Sequence, residues 1–146
     1  MQLKKRISGQ AGEDFAAEYL RRRGYKILTR NYREYQIGEI DIIAHKGNTL
    51  AIVEVKSRSN DSFGTPAEAV NYEKQRKLIK TAELFKRKFI KNGTLEYTRK
   101  IWVFNVNWHC NVKNIRFDVA EVFMTKDSEL ININYIESAF GGWKDN

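Results

Sequence analysis

Proline is nearly missing from this chain, with Pro66 the single example in 146 residues. With few breakers and no Gly/Ser-rich or low-complexity stretch, nothing marks a linker, and one domain over residues 1–146 is expected. Cysteine is as scarce. Cys110 stands alone, so an internal disulfide is excluded, which fits a reducing compartment and a cytoplasmic protein. The only histidines are His45 and His109, so no Cys/His set has the spacing of a zinc site. No apolar run approaches the ~20 residues that cross a bilayer, and no membrane partner is expected. The charged start Met1–Ser8 has no apolar segment behind it, which argues against a signal peptide. Walker-type phosphate loops and Rossmann glycine fingerprints are absent too; Gly9 and Gly12 open a helix but lack the remaining glycines.

What the chain does have is an apolar content of 42%, sufficient for one core, and a net charge of +8. The charge is concentrated. Residues 74–100 carry ten Lys/Arg against Glu83 and Glu96, while the remaining bases and acids balance. A basic stripe of this kind is the footprint of a polyanion binder, or else a solvated helix face.

A first helix is predicted over Gly9–Arg23, with Ser8 as N-cap, Gly24 at its C-terminal end and Phe15, Ala16, Tyr19 and Leu20 as its apolar stripe. Gly12 lies on that face, where a missing side chain permits close packing, and Glu13 projects from its flank. A short strand follows at Tyr25–Arg30. Gln36–His45 and Thr49–Arg58 then read as a hairpin around Gly47-Asn48. Thr65 and Glu68 form a capping box with Pro66 at the first helical position, opening a helix that breaks near Asn71 and runs to about Lys91. Strands are predicted at Ile101–Asn107 and at Ile115–Phe123, where Arg116 and Asp118 read as a structural ion pair; Trp102, Trp108 and Trp143 are candidates to stack on bases, with Trp102, in an apolar strand, read instead as core. Ile131–Phe140 is apolar enough to dock. The order is α-β-β-β-α-β-β, an α/β fold with a central mixed sheet flanked by helices.

The hairpin carries the chemistry. A two-residue turn at Gly47-Asn48 sets Lys46 opposite Thr49, and the same register brings Asp41 opposite Glu54 and Glu39 opposite Lys56. Glu54, Lys56 and Arg58 share a face, because strand side chains alternate. Opposed carboxylates destabilise a sheet unless a cation lies between them. Asp41, Glu54 and the carbonyl of Val55 would make a hard oxygen site suited to Mg²⁺ or Mn²⁺. Such an ion supplies Lewis acidity toward a phosphate and activates water, with Lys56 handling the water or the developing charge. Glu13 reaches the metal's water shell. Asp–Glu–Lys triads also occur as surface salt bridges, but these strands have the Ile/Val content of strands covered on both faces, where a charge cluster is costly without a task. Arg58 is a phosphate contact or a partner of Glu39 or Asp41. Lys74, Arg76, Lys77 and Lys80 are the nucleic-acid contacts expected of the basic helix, and Phe63-Gly64 precedes a helix N-terminus that can receive a phosphate.

Gly38-Glu39-Ile40-Asp41, followed after twelve residues by Glu54-Val55-Lys56, resembles the D…(D/E)-x-K signature of the PD-(D/E)XK nuclease superfamily. The element order resembles that superfamily's restriction-endonuclease-like αβββαβ core. Over nearly its whole length the chain is similar to the YraN family of endonuclease-like proteins. Gly9–Glu13, Ala17–Leu20, Asn31–Arg33, Gly38–Asp41, Glu54–Arg58, Phe63-Gly64, Lys74, Arg116–Val119 and Ala139-Phe140 carry that likeness. Ile40 stands where the superfamily's motif has proline, which leaves the ligand Asp41 intact. The resemblance implies kinship with archaeal Holliday-junction resolvases, which set a helix-1 glutamate beside an Asp, a Glu and a Lys; Glu13, Asp41, Glu54 and Lys56 match those positions. It therefore implies a Mg²⁺- or Mn²⁺-dependent nuclease acting on DNA, branched or damaged, and a homodimer, since two symmetric cuts need two sites. A nucleic-acid-binding module that keeps this fold without turnover is the alternative, and a domain whose basic helix meets an acidic protein is a third.

Overall fold

The computed structural model describes residues 2–59 and 70–141, with side chains over 9–58 and 70–141. The elements are α1 (Gln2–Arg22), β1 (Lys26–Glu34), β2 (Gly38–Lys46), β3 (Thr49–Ser59), α2 (Tyr72–Phe89), β4 (Ile90–Lys91), β5 (Thr94–Ile101), β6 (Phe104–Asn111), β7 (Asn114–Met124) and β8 (Leu130–Ile136). Five strands form a sheet in the order β1-β2-β3-β7-β8, and β4-β5-β6 form a smaller one. The large sheet is mixed: β3 and β7 run parallel and its other neighbours antiparallel. The predicted α/β architecture is observed.

The sequence of β3 explains why the sheet is covered on both sides. Ala51 and Val53 join one buried layer with Ala16, Ala17 and Leu20 of α1. Leu50 and Ile52 join the other with Leu78, Ala82 and Phe85 of α2. A strand apolar at successive positions has no face left for water, which is the expected habit of a central parallel strand. The α1 side is tight. A Cβ on Gly12 would collide with Ser57 Oγ, so a larger residue there would require the Ser57 side chain to move. On the α2 side, Tyr32, Phe85, Phe89 and Tyr97 pack ring on ring, with Tyr32–Phe85 centroids 5.1 Å apart and Phe89–Tyr97 4.8 Å apart. Gly24, at φ +86°, ends α1 as expected, and Tyr25 N–H returns to Leu20 O at 3.0 Å.

Three expectations change. The helix α1 starts at Gln2, so Ser8 is inside it; Lys4, Lys5 and Arg6 are adequate helix formers, and one glycine costs too little to stop the helix. The described part of α2 starts at Tyr72, capped by Asn71, whose side chain accepts from Lys74 N–H at 2.8 Å, and it stops at Phe89. The break predicted near Asn71 is thus present, while Thr65–Glu68 and Phe63-Gly64 lie outside the described residues. No strand spans Ile101–Asn107: the chain reverses at Trp102-Val103, and Trp102 is 88% exposed where a core position was expected. The segment around Ile131 docks as the edge strand β8, with Tyr135 stacked on Tyr19 at 5.4 Å. Among the described residues no helix is long and apolar enough to cross a membrane.

Arg116 and Asp118 form the structural ion pair that the sequence implied. Asp118 is fully buried and accepts from Arg116 Nε and Nη2, from Tyr135 Oη at 2.6 Å and from Ser138 N–H at 2.9 Å. Asp118→Ala leaves the Tyr135 hydroxyl and the Ser138 N–H without their acceptor and a half-buried guanidinium with only Tyr25 and Glu137. The expected loss is about 3–5 kcal/mol of stability, read by urea unfolding. A loss below about 1 kcal/mol would contradict this role.

Candidate active site

The hairpin's register is the one implied by its turn. Paired residues run from Lys46↔Thr49 to Ile42↔Val53, and there the β2–β3 ladder ends. The next opposed residues are Asp41 and Glu54. Beyond this point β3 leaves β2 and continues beside β7 as far as Ser59↔Met124. The departing strand exposes backbone donors that β2 no longer pairs. One of them is used: Val55 N–H donates to Asp41 Oδ2 at 2.8 Å. The alternation of β2 also slips here, since Ile40 and Ile43 lie in the same core layer while Ile42 lies in the other. Asp41 sits at this slip, in the crotch of the fork.

Glu54 is only 5% exposed. Its two oxygens meet different surroundings. Oε1 faces two ammonium groups, Lys56 Nζ at 3.7 Å and Lys74 Nζ at 3.6 Å. Oε2 is buried without a hydrogen-bond partner. Burial first, and then the charge of Glu54, push the Asp41 carboxyl up to about 7, although the Val55 N–H and Lys74 act in the opposite direction. Around pH 7 the Asp41 carboxyl is therefore about half protonated. The carboxyl of Glu13, from α1, is raised as well, by burial and then by Asp41. Asn31 and Arg30 moderate that rise, and Arg30 Nη2 lies 3.4 Å from Glu13 while Nη1 lies 2.7 Å from Asp14.

The structure thus groups Glu13, Asp41, Glu54, Lys56 and Lys74. Glu39, expected beside Lys56, pairs with Arg33 at 3.2 Å. Arg58 shares the face of Lys56, but its carboxylate is neither Glu39 nor Asp41. Glu121, on β7, lies 3.8 Å from Arg58 Nη2, is 3% exposed and accepts from Asn134 at 3.0 Å. Neither Glu121 nor Arg30 was among the sequence candidates. Glu121 has one signal, a charge inside the apolar run Val119–Val122, whereas Arg30 has none. Of the other basic candidates, Arg76 lies over the Tyr72 ring at 5.8 Å, Lys77 pairs with Glu73 at 3.8 Å and Lys80 is exposed. Lys74 and Lys77 also line a groove of about 780 Å³ with Arg33–Glu39, so Lys74 joins this groove to the carboxylates.

Two sheltered carboxyls, Asp41 raised by burial and by the charge of Glu54, and Glu54 with an oxygen lacking a hydrogen-bond partner, are a donor set that a divalent cation would complete. Among the described residues no group of three Asp, Glu, His or Cys side chains is arranged to hold a metal ion, so these two carboxyls would be its only side-chain ligands. The fit is therefore to an ion that keeps much of its water, as Mg²⁺ does when one or two carboxylates bind it.

A model of the family described as Uncharacterised protein family UPF0102 matches residues 12–122, a span that takes in every residue of this cluster. A UPF0102 protein of Caldicellulosiruptor saccharolyticus is 42% identical over 139 residues, covering 94% of this chain and all of that one. One from Dictyoglomus turgidum is 40% identical over 132 residues, 90% of this chain and 95% of the other. A third, from Clostridium beijerinckii, is 41% identical over 132 residues, 90% of this chain and 91% of its own.

Proposed function

The chain belongs to the UPF0102 family, the YraN family of the sequence resemblance, and on that footing we propose that it is a divalent-metal-dependent nuclease that hydrolyses phosphodiester bonds in DNA. The observation that carries the reading is the pair of carboxyls itself: Glu54 is buried with one oxygen unpartnered, and burial and the charge of Glu54 raise the neighbouring Asp41 carboxyl to about 7.

Asp41 and Glu54 would hold Mg²⁺ or Mn²⁺, which supplies Lewis acidity toward a phosphate oxygen and toward water. The chain's own groups do the rest. Val55 N–H fixes the Asp41 carboxylate so that its other oxygen is the one presented. Lys74 neutralises part of the charge on Glu54 and lies at the mouth of the adjoining groove, where a phosphodiester strand can run. Lys56 Nζ orients the attacking water or faces the charge that develops on the phosphoryl oxygens. Glu13 is placed to accept a proton from water in the site, because its own carboxyl is raised by burial.

The basic face of α2 would hold DNA mainly through phosphates, an attachment without sequence information that weakens steeply with salt. Replacing Lys77 and Lys80 by Gln is expected to lower DNA affinity and reduce the salt slope by about two, roughly one for each phosphate that is no longer neutralised. An unchanged slope would remove α2 from the interface. The reading as a whole is tested by offering linear, nicked, flapped and four-way DNA with Mn²⁺, beside an Asp41→Asn control. Cleavage by the native chain alone supports it. Salt-sensitive binding to every substrate with no cleavage of any would leave a binding module on the nuclease fold.

A further inference from the structure

The β5–β6 hairpin breaks three rules at its tip. Ile101, Trp102, Val103 and Phe104 are 40%, 88%, 83% and 69% exposed, the largest run of bare apolar side chains among the described residues. Its two-residue turn is Trp102-Val103, where a hairpin ordinarily takes Asn, Asp or Gly. Trp102 also adopts φ +57°, a left-handed conformation that costs any residue with a Cβ. Each feature works against folding and solubility, and all three coincide at one point, as expected where function rather than stability chose the residues.

The surroundings say what the tip meets. From Tyr97 to Phe117 there is no acidic residue, while Arg99 and Lys100 flank the tip. The arm is firmly rooted. Leu95 is buried, and the Tyr97 ring packs on Phe85 and Phe89 of the basic helix α2 at 5.5 and 4.8 Å. The four residues from Thr98 to the turn extend about 13 Å, further than the depth of a DNA minor groove, about 7.5 Å. We propose that this hairpin is a wedge: Trp102 and Phe104 enter the base stack of DNA at an unpaired or easily unstacked step, with Arg99 and Lys100 on the adjoining phosphates. The inference rests on the nucleic-acid reading above and deepens it, since it names distorted DNA as the preferred substrate. A second copy of the chain fits the tip less well. Two grooves that could receive it combine apolar side chains with cations, Ile90, Val112 and Ile115 with Lys86 and Lys113 in one and Tyr35 and Ile37 with Arg33, Lys74 and Lys77 in the other, and those cations oppose a tip flanked by Arg99 and Lys100. Two tips meeting end to end would fall far short of the roughly 800 Å² per partner that a stable dimer buries.

The test measures binding alone, in EDTA, with the full chain and a labelled 30-base-pair duplex, either intact or with a central two-nucleotide bulge. The native chain is expected to prefer the bulged duplex at least tenfold. Trp102→Gly combined with Phe104→Ser should reduce that preference to within twofold while leaving affinity for the intact duplex within twofold. Misfolding would not explain such a result, because glycine relieves the left-handed strain and the melting temperature should hold or rise. A 2-aminopurine beside the bulge should brighten on binding the native chain and stay quenched with the variant. Equal affinity of the native chain for both duplexes overturns the wedge and leaves the nuclease reading standing, as does a preference that survives the double substitution. Failure to bind either duplex removes both. A variant whose only change is loss of self-association in sedimentation, or loss of binding to anionic phospholipid vesicles, would assign the tip to another partner and likewise overturn the wedge.

Discussion

Asp41→Asn is expected to stabilise the metal-free protein and abolish its activity together. The Asp41 carboxyl is raised from an ordinary value of 3.8 to about 7 in the fold, by burial and by Glu54. Below about pH 4 both folded and unfolded chains are protonated there, and the group costs nothing. Between about pH 4 and 7 the unfolded chain releases its proton first, so stability falls as pH rises, and above about pH 7 the full penalty is present. Asparagine removes the penalty. Its carbonyl can still accept from Val55 N–H, and its amide can donate to the bare Glu54 Oε2. At pH 8 in EDTA the variant should gain about 2 kcal/mol, a rise of several degrees in melting temperature. At pH 4 the gain should largely vanish. Mn²⁺ should raise the melting temperature of the native chain and not of the variant, since only a ligand bound by the folded state stabilises it. A variant less stable than the native chain at pH 8 would mean that Asp41 is a structural residue, and the cation site would lose its first ligand.

Lys56→Ala tests the chemistry rather than the site's formation. Glu54 Oε1 faces two ammonium groups, so the variant still has Lys74 at 3.6 Å and should fold normally. What it loses is the one amine that projects from β3 beside the carboxylates, on the same strand face as Glu54. Single-turnover cleavage with Mn²⁺ should slow by about 10²–10⁴-fold, the range over which a positioned proton-transfer or charge-stabilising group acts. DNA affinity, which the proposed reading assigns mainly to α2, should change less than about threefold, the effect of a single phosphate interaction. The reverse pattern, with weakened binding and a normal rate, would make Lys56 a phosphate ligand and leave water activation to Glu13.

The site is legible in the sequence where one local feature sets the geometry. A two-residue turn with Gly47 at φ +60° fixes the pairing of β2 and β3, and from that register alone Asp41 meets Glu54. Helical spacing places Glu13 on the flank of α1, and the close approach permitted by Gly12 brings that helix down on β3. Where tertiary pairing decides, the sequence is silent. Glu121 reaches Arg58 only because β3 and β7 run parallel, an encounter across an intervening helix and hairpin. Glu39 belongs to Arg33 because β2 has left β3 by that point and still pairs with β1. The β5–β6 turn reads as continuous strand because Trp102-Val103 carries none of the residues that announce a reversal. That omission coincides with the position proposed to touch DNA.

The central claim is that the fork between β2 and β3 holds a divalent cation on Asp41 and Glu54. Anomalous diffraction from crystals grown with Mn²⁺ tests it most directly. A single strong peak within about 2.3 Å of an oxygen from each carboxylate is predicted, absent from crystals of Glu54→Gln. Crystals of the native chain at pH 8 with no peak in the fork, or with Mn²⁺ bound elsewhere while Asp41 and Glu54 stay as they are, would contradict it.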